Sequence, residues 1–148
     1  MDNGTFTVIT LAATIRNTAR NEGVEVIDGT GWLVLPPFID RHVHLDTALT
    51  AGEPVWNCSG TLFEGIHNWP ERKKTLTRDD VENRAAKALE WYIARGVQHV
   101  RSHVDTTDPS LTALQALLKL REEMRELIDI QLVAFPREDI PSFHKGVS

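Results

Sequence analysis

The residues best suited to chemistry lie at positions 38 to 47, "FIDRHVHLDT", where two histidines stand two apart and an aspartate follows two later. On extended backbone, side chains alternate faces, so His42 and His44 point the same way. Their Cα atoms are then about 6.6 Å apart, twice the strand rise. Two imidazoles at that spacing can meet at one cation, and zinc or ferrous iron accepts imidazole nitrogen. The pair also suits a solvent-facing strand with no ligand, and His-x-His by itself does not choose. Alternation puts Phe38 and Asp40 on the histidine face. It puts Ile39, Val43 and Leu45 on the other, ready to pack under a helix. Asp46 reads equally as a support for the pair and as a turn aspartate.

The elements that must position these residues follow from pattern. "GTFTVITLAAT" and the stretch "GVEVIDGTGWLVLPPF" read as short strands, with Asp28-Gly29 as a turn and Trp32 to Leu35 extended. Pro36-Pro37 interrupts the ladder, because proline donates no backbone hydrogen bond, and a new strand starts at Phe38. Residues 47 to 76 form a long connection, of the kind that is usually functional or disordered. Trp56, Phe63 and Trp69 argue for order, with a short helix near 62 to 72. Arg72, Lys73 and Lys74 read as a solvated charge run. Thr77 starts a helix with Asp79 and Asp80 in its first turn, and Val81, Ala85, Leu89 and Ile93 make its apolar stripe. Gly96 caps its end. "VQHVRSHVD" is the next strand. Asp108-Pro109 opens a second long helix as N-cap and first helical residue. Its buried face is read as Leu111, Leu114, Leu117, Leu118 and Leu127. "IDIQLVAFP" is a third strand. This alternation implies a parallel sheet with crossover helices.

Composition bounds the function. The chain has 148 residues, 41% of them hydrophobic and 25% charged, in the range of a soluble globular domain. A net charge of −5 argues against a non-specific nucleic-acid binder, which needs a basic face. No run is long and apolar enough to read as a membrane span. Cys58 is the single cysteine, so neither an intrachain disulfide nor a Cys-rich zinc site can form. The start, Met1-Asp2-Asn3-Gly4, has no basic secretory signature, and the expected compartment is the cytoplasm.

Several segments together carry a resemblance. "LVLPPFIDRHVHLDTALTAGEP" and "WNCSGTLFEGI", followed by "GVQHVRSHVD" and "IDIQLVAFP", resemble the N-terminal part of bacterial cytosine deaminases, from about residue 24 to 141. That family lies within the amidohydrolase superfamily of metal-dependent barrel hydrolases. The resemblance implies an α/β fold: part of a small β domain over 1–36, then the first β/α units of a (β/α)8 TIM-type barrel over 37–148. It implies one divalent metal ion, Fe2+ or Zn2+, with His42 and His44 as two ligands. A hydroxide generated at the metal would attack the ring carbon bearing the exocyclic amine. Leu62 would touch the ring. Arg137 stands where the family commonly has glutamine, and a guanidinium offers donors only. Asp46, His103 and Asp105 are candidates to support the ligands from behind, although polar filling of the barrel also accounts for His103 and Asp105.

The third histidine, the aspartate and the proton-shuttling glutamate of the family have no match here. The chain therefore reads as an N-terminal fragment without catalytic residues of its own, inactive alone, from a protein expected to be a homo-oligomer. The other zinc deaminases, with H-x-E and P-C-x-x-C, are excluded by the lone cysteine. Two rival readings remain. One is action on another aminated heterocycle, a triazine or purine-like ring, which Arg137 would suit. The other is a non-catalytic piece that binds metal or complements a separate chain.

Overall fold

The computed structural model describes residues 27–136. Two compact units divide the chain, Met1–Leu35 and Pro36–Ser148. In the first, the described residues 27–35 are exposed and form no strand. The Asp28 carboxylate accepts from the Thr30 amide and hydroxyl, and the Trp32 amide closes the turn onto the Gly29 carbonyl. The extended reading of Trp32 to Leu35 is thus corrected to irregular chain, since no partner strand takes up its backbone groups among the described residues. The expected strand in "GTFTVITLAAT" lies outside them.

The second unit runs β1 (Phe38–Val43), α1 (Leu62–Lys73), α2 (Arg78–Ile93), β2 (Val97–Val104), α3 (Thr112–Glu123) and β3 (Asp129–Ala134). The strands form one parallel sheet in the order β1-β2-β3. Parallel neighbours need crossovers, which α2 and α3 supply. β2 alternates cleanly: Val100, Ser102 and Val104 are buried, while Arg101 between them is exposed. The core packs Val100 and Val104 against Val81, Ala85 and Leu89 of α2 and Ala113, Ala116, Leu117 and Leu120 of α3, with Leu45, Ile128 and Ile130. The second helix keeps the expected stripe. In the third, alanines take much of the buried face and Leu118 is exposed; Leu127 lies beyond the helix end and is exposed too.

Helix boundaries show which local signals were sufficient. Thr77 is the N-cap of α2, its hydroxyl accepting from the Asp80 amide. Gly96 ends it at φ +78°, a conformation that costs glycine nothing. α3 starts later than Asp108-Pro109 suggested. The Asp108 carboxylate accepts from the Ser110 and Thr112 amides, and Leu111, at φ 49°, breaks the path into the helix. Arg72 and Lys73 also depart from the solvated reading. Arg72 is buried against Asp80 and Glu53, at 2.8 and 3.0 Å, and only Lys74 of the three is exposed.

Candidate active site

The site is built at the end of β1. A register shift separates Asp40, opposite Val100, from Val43, opposite Ser102. A bulge of this kind redirects side chains. Asp40 therefore leaves the histidine face that alternation assigned to it. One of its carboxylate oxygens accepts from the Tyr92 hydroxyl of α2 at 2.6 Å, and the other from the His42 amide at 3.0 Å. Ile39 is correspondingly exposed rather than packed under a helix. Burial, then the hydrogen bond to Asp40 and its charge, push the Tyr92 phenol up to about 12. Beyond the strand, the Leu45 amide donates to the buried Ser102 hydroxyl, which keeps this segment beside β2.

This frame brings His42 and His44 together. Their Nε2 atoms are 3.3 Å apart. The Nδ1 of His44 donates to the His103 carbonyl at 2.8 Å. A carbonyl only accepts, so the neutral His44 ring carries its proton on Nδ1 and turns a lone pair outward from Nε2. Two nitrogens bound at about 2.0–2.1 Å to one tetrahedral ion would be about 3.3–3.4 Å apart. The separation of the pair matches that distance; without an ion the same contact is a hydrogen bond in which His42 Nε2–H donates to His44 Nε2. Among the described residues no group of three or more His, Cys, Asp or Glu is placed to hold a metal ion.

His103 stacks on His42, ring centroids 3.9 Å apart and planes 17° off parallel. Phe135, just past β3, meets His42, His44 and His103 edge-on at 5.2 to 6.4 Å. Asp46 and Asp105 are both buried. The Asp46 carboxylate accepts from the Asp105 amide and the Thr47 amide, both at 3.0 Å. The Asp105 carboxylate takes the Trp69 indole N–H at 2.8 Å, Lys73 Nζ at 3.3 Å, and the amide and hydroxyl of Thr107. Burial pushes the Asp105 pKa up, but the Thr107, Trp69 and Lys73 interactions outweigh it and hold the group below the usual carboxylate range.

A cavity of about 680 Å³ opens beside the pair, lined by His42, His44, Leu62, Ile66, Trp69 and Phe135 among others. Its volume is in the range of small-molecule sites. Leu62 is the first residue of α1 and 75% exposed. Its position is set by the helix start: the Thr61 hydroxyl accepts from the Glu64 amide, and the Glu64 carboxylate accepts from the Cys58 and Ser59 amides. The Ser59 hydroxyl also donates to Glu64. These bonds hold the Glu64 pKa below its ordinary value, the Ser59 hydroxyl contributing most. Arg137 lies outside the described residues. Sequence reasoning missed Trp69 and Lys73 as partners of Asp105. The aromatic residues of the long connection were the available signal.

A histidine pair at a parallel strand's end thus lies beside a cavity on an α/β frame. The chain belongs to the amidohydrolase family, whose model matches residues 25–146. It is similar to 5-methylcytosine deaminase from Klebsiella pneumoniae. With phosphonocytosine bound, that structure is 53% identical with a TM-score of 0.75, over 81% of this chain and 30% of that one. With 5-fluorocytosine bound, the values are 59% and 0.69, over 70% and 25%. The N-isopropylammelide isopropyl amidohydrolase of Pseudomonas sp. strain ADP is 32% identical over 133 residues, 86% of this chain and 32% of that protein. The N-isopropylammelide isopropylaminohydrolase from Burkholderia multivorans is 30% identical, TM-score 0.58, over 73% of this chain and 27% of that one. The chain thus spans about a third or less of each of these proteins. The resemblance to cytosine deaminases read in the sequence is borne out.

Proposed function

We propose that this chain supplies the opening β/α units of a metal-dependent barrel deaminase acting on cytosine or a similar aminated heterocycle. On this reading residues 1–36 belong to a small β domain and 37–148 to the barrel. The observation that carries it is the 3.3 Å separation of the His42 and His44 Nε2 atoms at the mouth of the cavity. Those two residues would hold one divalent ion, Zn2+ or Fe2+. Such an ion lowers the pKa of its water and makes a nucleophile available near neutral pH.

The chain's own residues do the rest of what this part contributes. The His103 carbonyl fixes the His44 tautomer. Leu62, Ile66 and Trp69 line the cavity and would give a flat ring an apolar wall. On this reading Arg137, which stands where the family commonly has glutamine, would offer donors to a ring oxygen. Asp46 and Asp105 hold the surrounding backbone and α1 rather than the ring. The third histidine, the aspartate and the proton-shuttling glutamate are not matched in these residues, so the 148-residue chain alone does not deaminate. We place the whole protein in the cytoplasm as a homo-oligomer, with a small-molecule substrate and neither nucleic acid nor membrane as partner. Among the described residues, no helix is long and apolar enough to cross a membrane.

Pyrimidine substrates are favoured by the 53–59% identity to the Klebsiella enzyme. A second reading, an N-isopropylammelide-type triazine ring, is supported by the two relatives named for that compound and by Arg137. A graft separates them. Residues 37–137 of this chain replace the matching stretch of the Klebsiella deaminase, and the metal-loaded chimera is assayed for ammonia release from cytosine and 5-methylcytosine, and for amine release from N-isopropylammelide. Pyrimidine turnover that vanishes with His42→Ala supports the first reading. Turnover of N-isopropylammelide alone supports the second. A folded, metal-loaded chimera inert on all three would overturn both.

A further inference from the structure

His103 touches both candidate ligands by different parts of itself. Its carbonyl accepts the His44 Nδ1 proton at 2.8 Å, while its ring stacks on His42 at 3.9 Å and 17° from parallel and meets the His44 ring only at a tilt, 5.9 Å away. His103 is not among the residues that line the cavity. Its Nδ1 is sealed from solvent and has no hydrogen-bond partner. What holds this side chain in place is therefore packing, against His42 on one side and the edge-on Phe135 ring at 5.7 Å. Buried polar atoms are normally paired, and an unpaired one needs an explanation. Stacking on the His42 imidazole fixes the rotamer without help from Nδ1.

We propose that His103 is a positioning residue for the cation site, its ring setting the plane of His42 while its carbonyl sets the tautomer of His44. The proposal rests on the reading of His42 and His44 as metal ligands. It predicts an asymmetry. Every substitution at 103 keeps the carbonyl, so the His44 handle survives. Only substitutions that remove the flat ring release His42, and a phenyl ring serves as well as an imidazole.

The test uses the intact 148-residue chain and three proteins: wild type, His103→Ala and His103→Phe. Cobalt(II) is titrated in and followed by its visible absorption. His103→Ala should weaken cobalt binding by about tenfold or more, the scale of lost supporting contacts around metal ligands. His103→Phe should bind within about threefold of wild type. Equal affinity of wild type and His103→Ala would overturn the proposal. So would His103→Phe failing as badly as His103→Ala, since a ring nitrogen rather than the stack would then matter. A second readout needs no metal. In the metal-free chain, proton NMR should show the His42 ring protons shifted upfield by the stacked neighbour, a shift kept in His103→Phe and lost in His103→Ala. Its absence from the wild type sinks the stacking claim itself. Its presence in a wild type that binds no cobalt overturns the positioning role through the metal reading on which it rests.

Discussion

At the scale of single residues, Asp40 decides how the histidines are presented. Strict alternation along "FIDRHVHL" would have sent its carboxylate into the cavity side with His42 and His44. The bulge sends it to Tyr92 instead and leaves its second oxygen for the His42 amide. A bulge is invisible to a period-two reading, because it is a change in that period. Tyr92 is the chain's single tyrosine, so tyrosinate absorbance during an alkaline titration reports on it alone. The expected midpoint is about 12. Asp40→Asn should bring it down toward the ordinary value, and a wild-type midpoint near 10 would contradict the half-buried Tyr92–Asp40 contact. Because the phenol is kept neutral by the fold, this contact stabilises below the unfolded value of about 10 and is lost as pH rises through the folded one.

At the scale of elements, the tie between α1 and the end of β2 matters most. Asp105 accepts from Trp69 and Lys73 of the helix, while its own amide donates to Asp46, two residues past His44. One buried residue, through its carboxylate and its amide, thus joins the cavity wall to the segment carrying the candidate ligands. Asp105→Ala removes the buried acceptor shared by the Trp69 N–H and Lys73, which keeps its bond to the Thr107 hydroxyl, and should cost about 1–3 kcal/mol in a denaturant melt. Asp105→Asn separates charge from shape. Since the folded pKa of Asp105 is depressed, its stabilisation is present above the unfolded value of about 3.9 and is lost as pH falls through the lower folded one. The Asn variant should therefore show a flatter acid-side stability profile than wild type. An unchanged profile would contradict the assignment. Thr77→Ala should cost about 1 kcal/mol through the lost cap on α2, read as a lower denaturant midpoint.

These elements also show how far the sequence could be read. Thr77 and Gly96 marked the ends of α2 because capping is local chemistry, written in adjacent residues. The three strands and their parallel order followed from alternation of pattern, and the histidine pair followed from spacing. The Asp105 contacts did not, since Trp69 and Lys73 are 36 and 32 residues away. Nor did the burial of Arg72, whose partners Glu53 and Asp80 lie outside its own helix. Asp108 misled for a physical reason: its carboxylate caps the Ser110 and Thr112 amides, but the intervening left-handed Leu111 delays the helix.

At the scale of the molecule, the described sheet has helices on one face, with Arg101 and Gln131 bonded to each other on the exposed other. The outer edges of β1 and β3 have no strand partner among the described residues, and Phe38 and Ile39 are exposed on β1. A barrel would use both edges and enclose the polar face. The chain spans a third or less of its relatives, and two imidazoles are fewer than the three protein ligands of a typical catalytic zinc. Purified chain loaded with zinc or ferrous iron should accordingly release no ammonia from cytosine, and release above the metal-only blank would contradict the proposed division of the site. The most direct test of the account is imidazole nitrogen NMR of the intact chain during zinc addition. The Nε2 signals of His42 and His44 should move together to one saturation point while His44 Nδ1 keeps its proton. A response from one ring alone, or from neither, would contradict the shared cation.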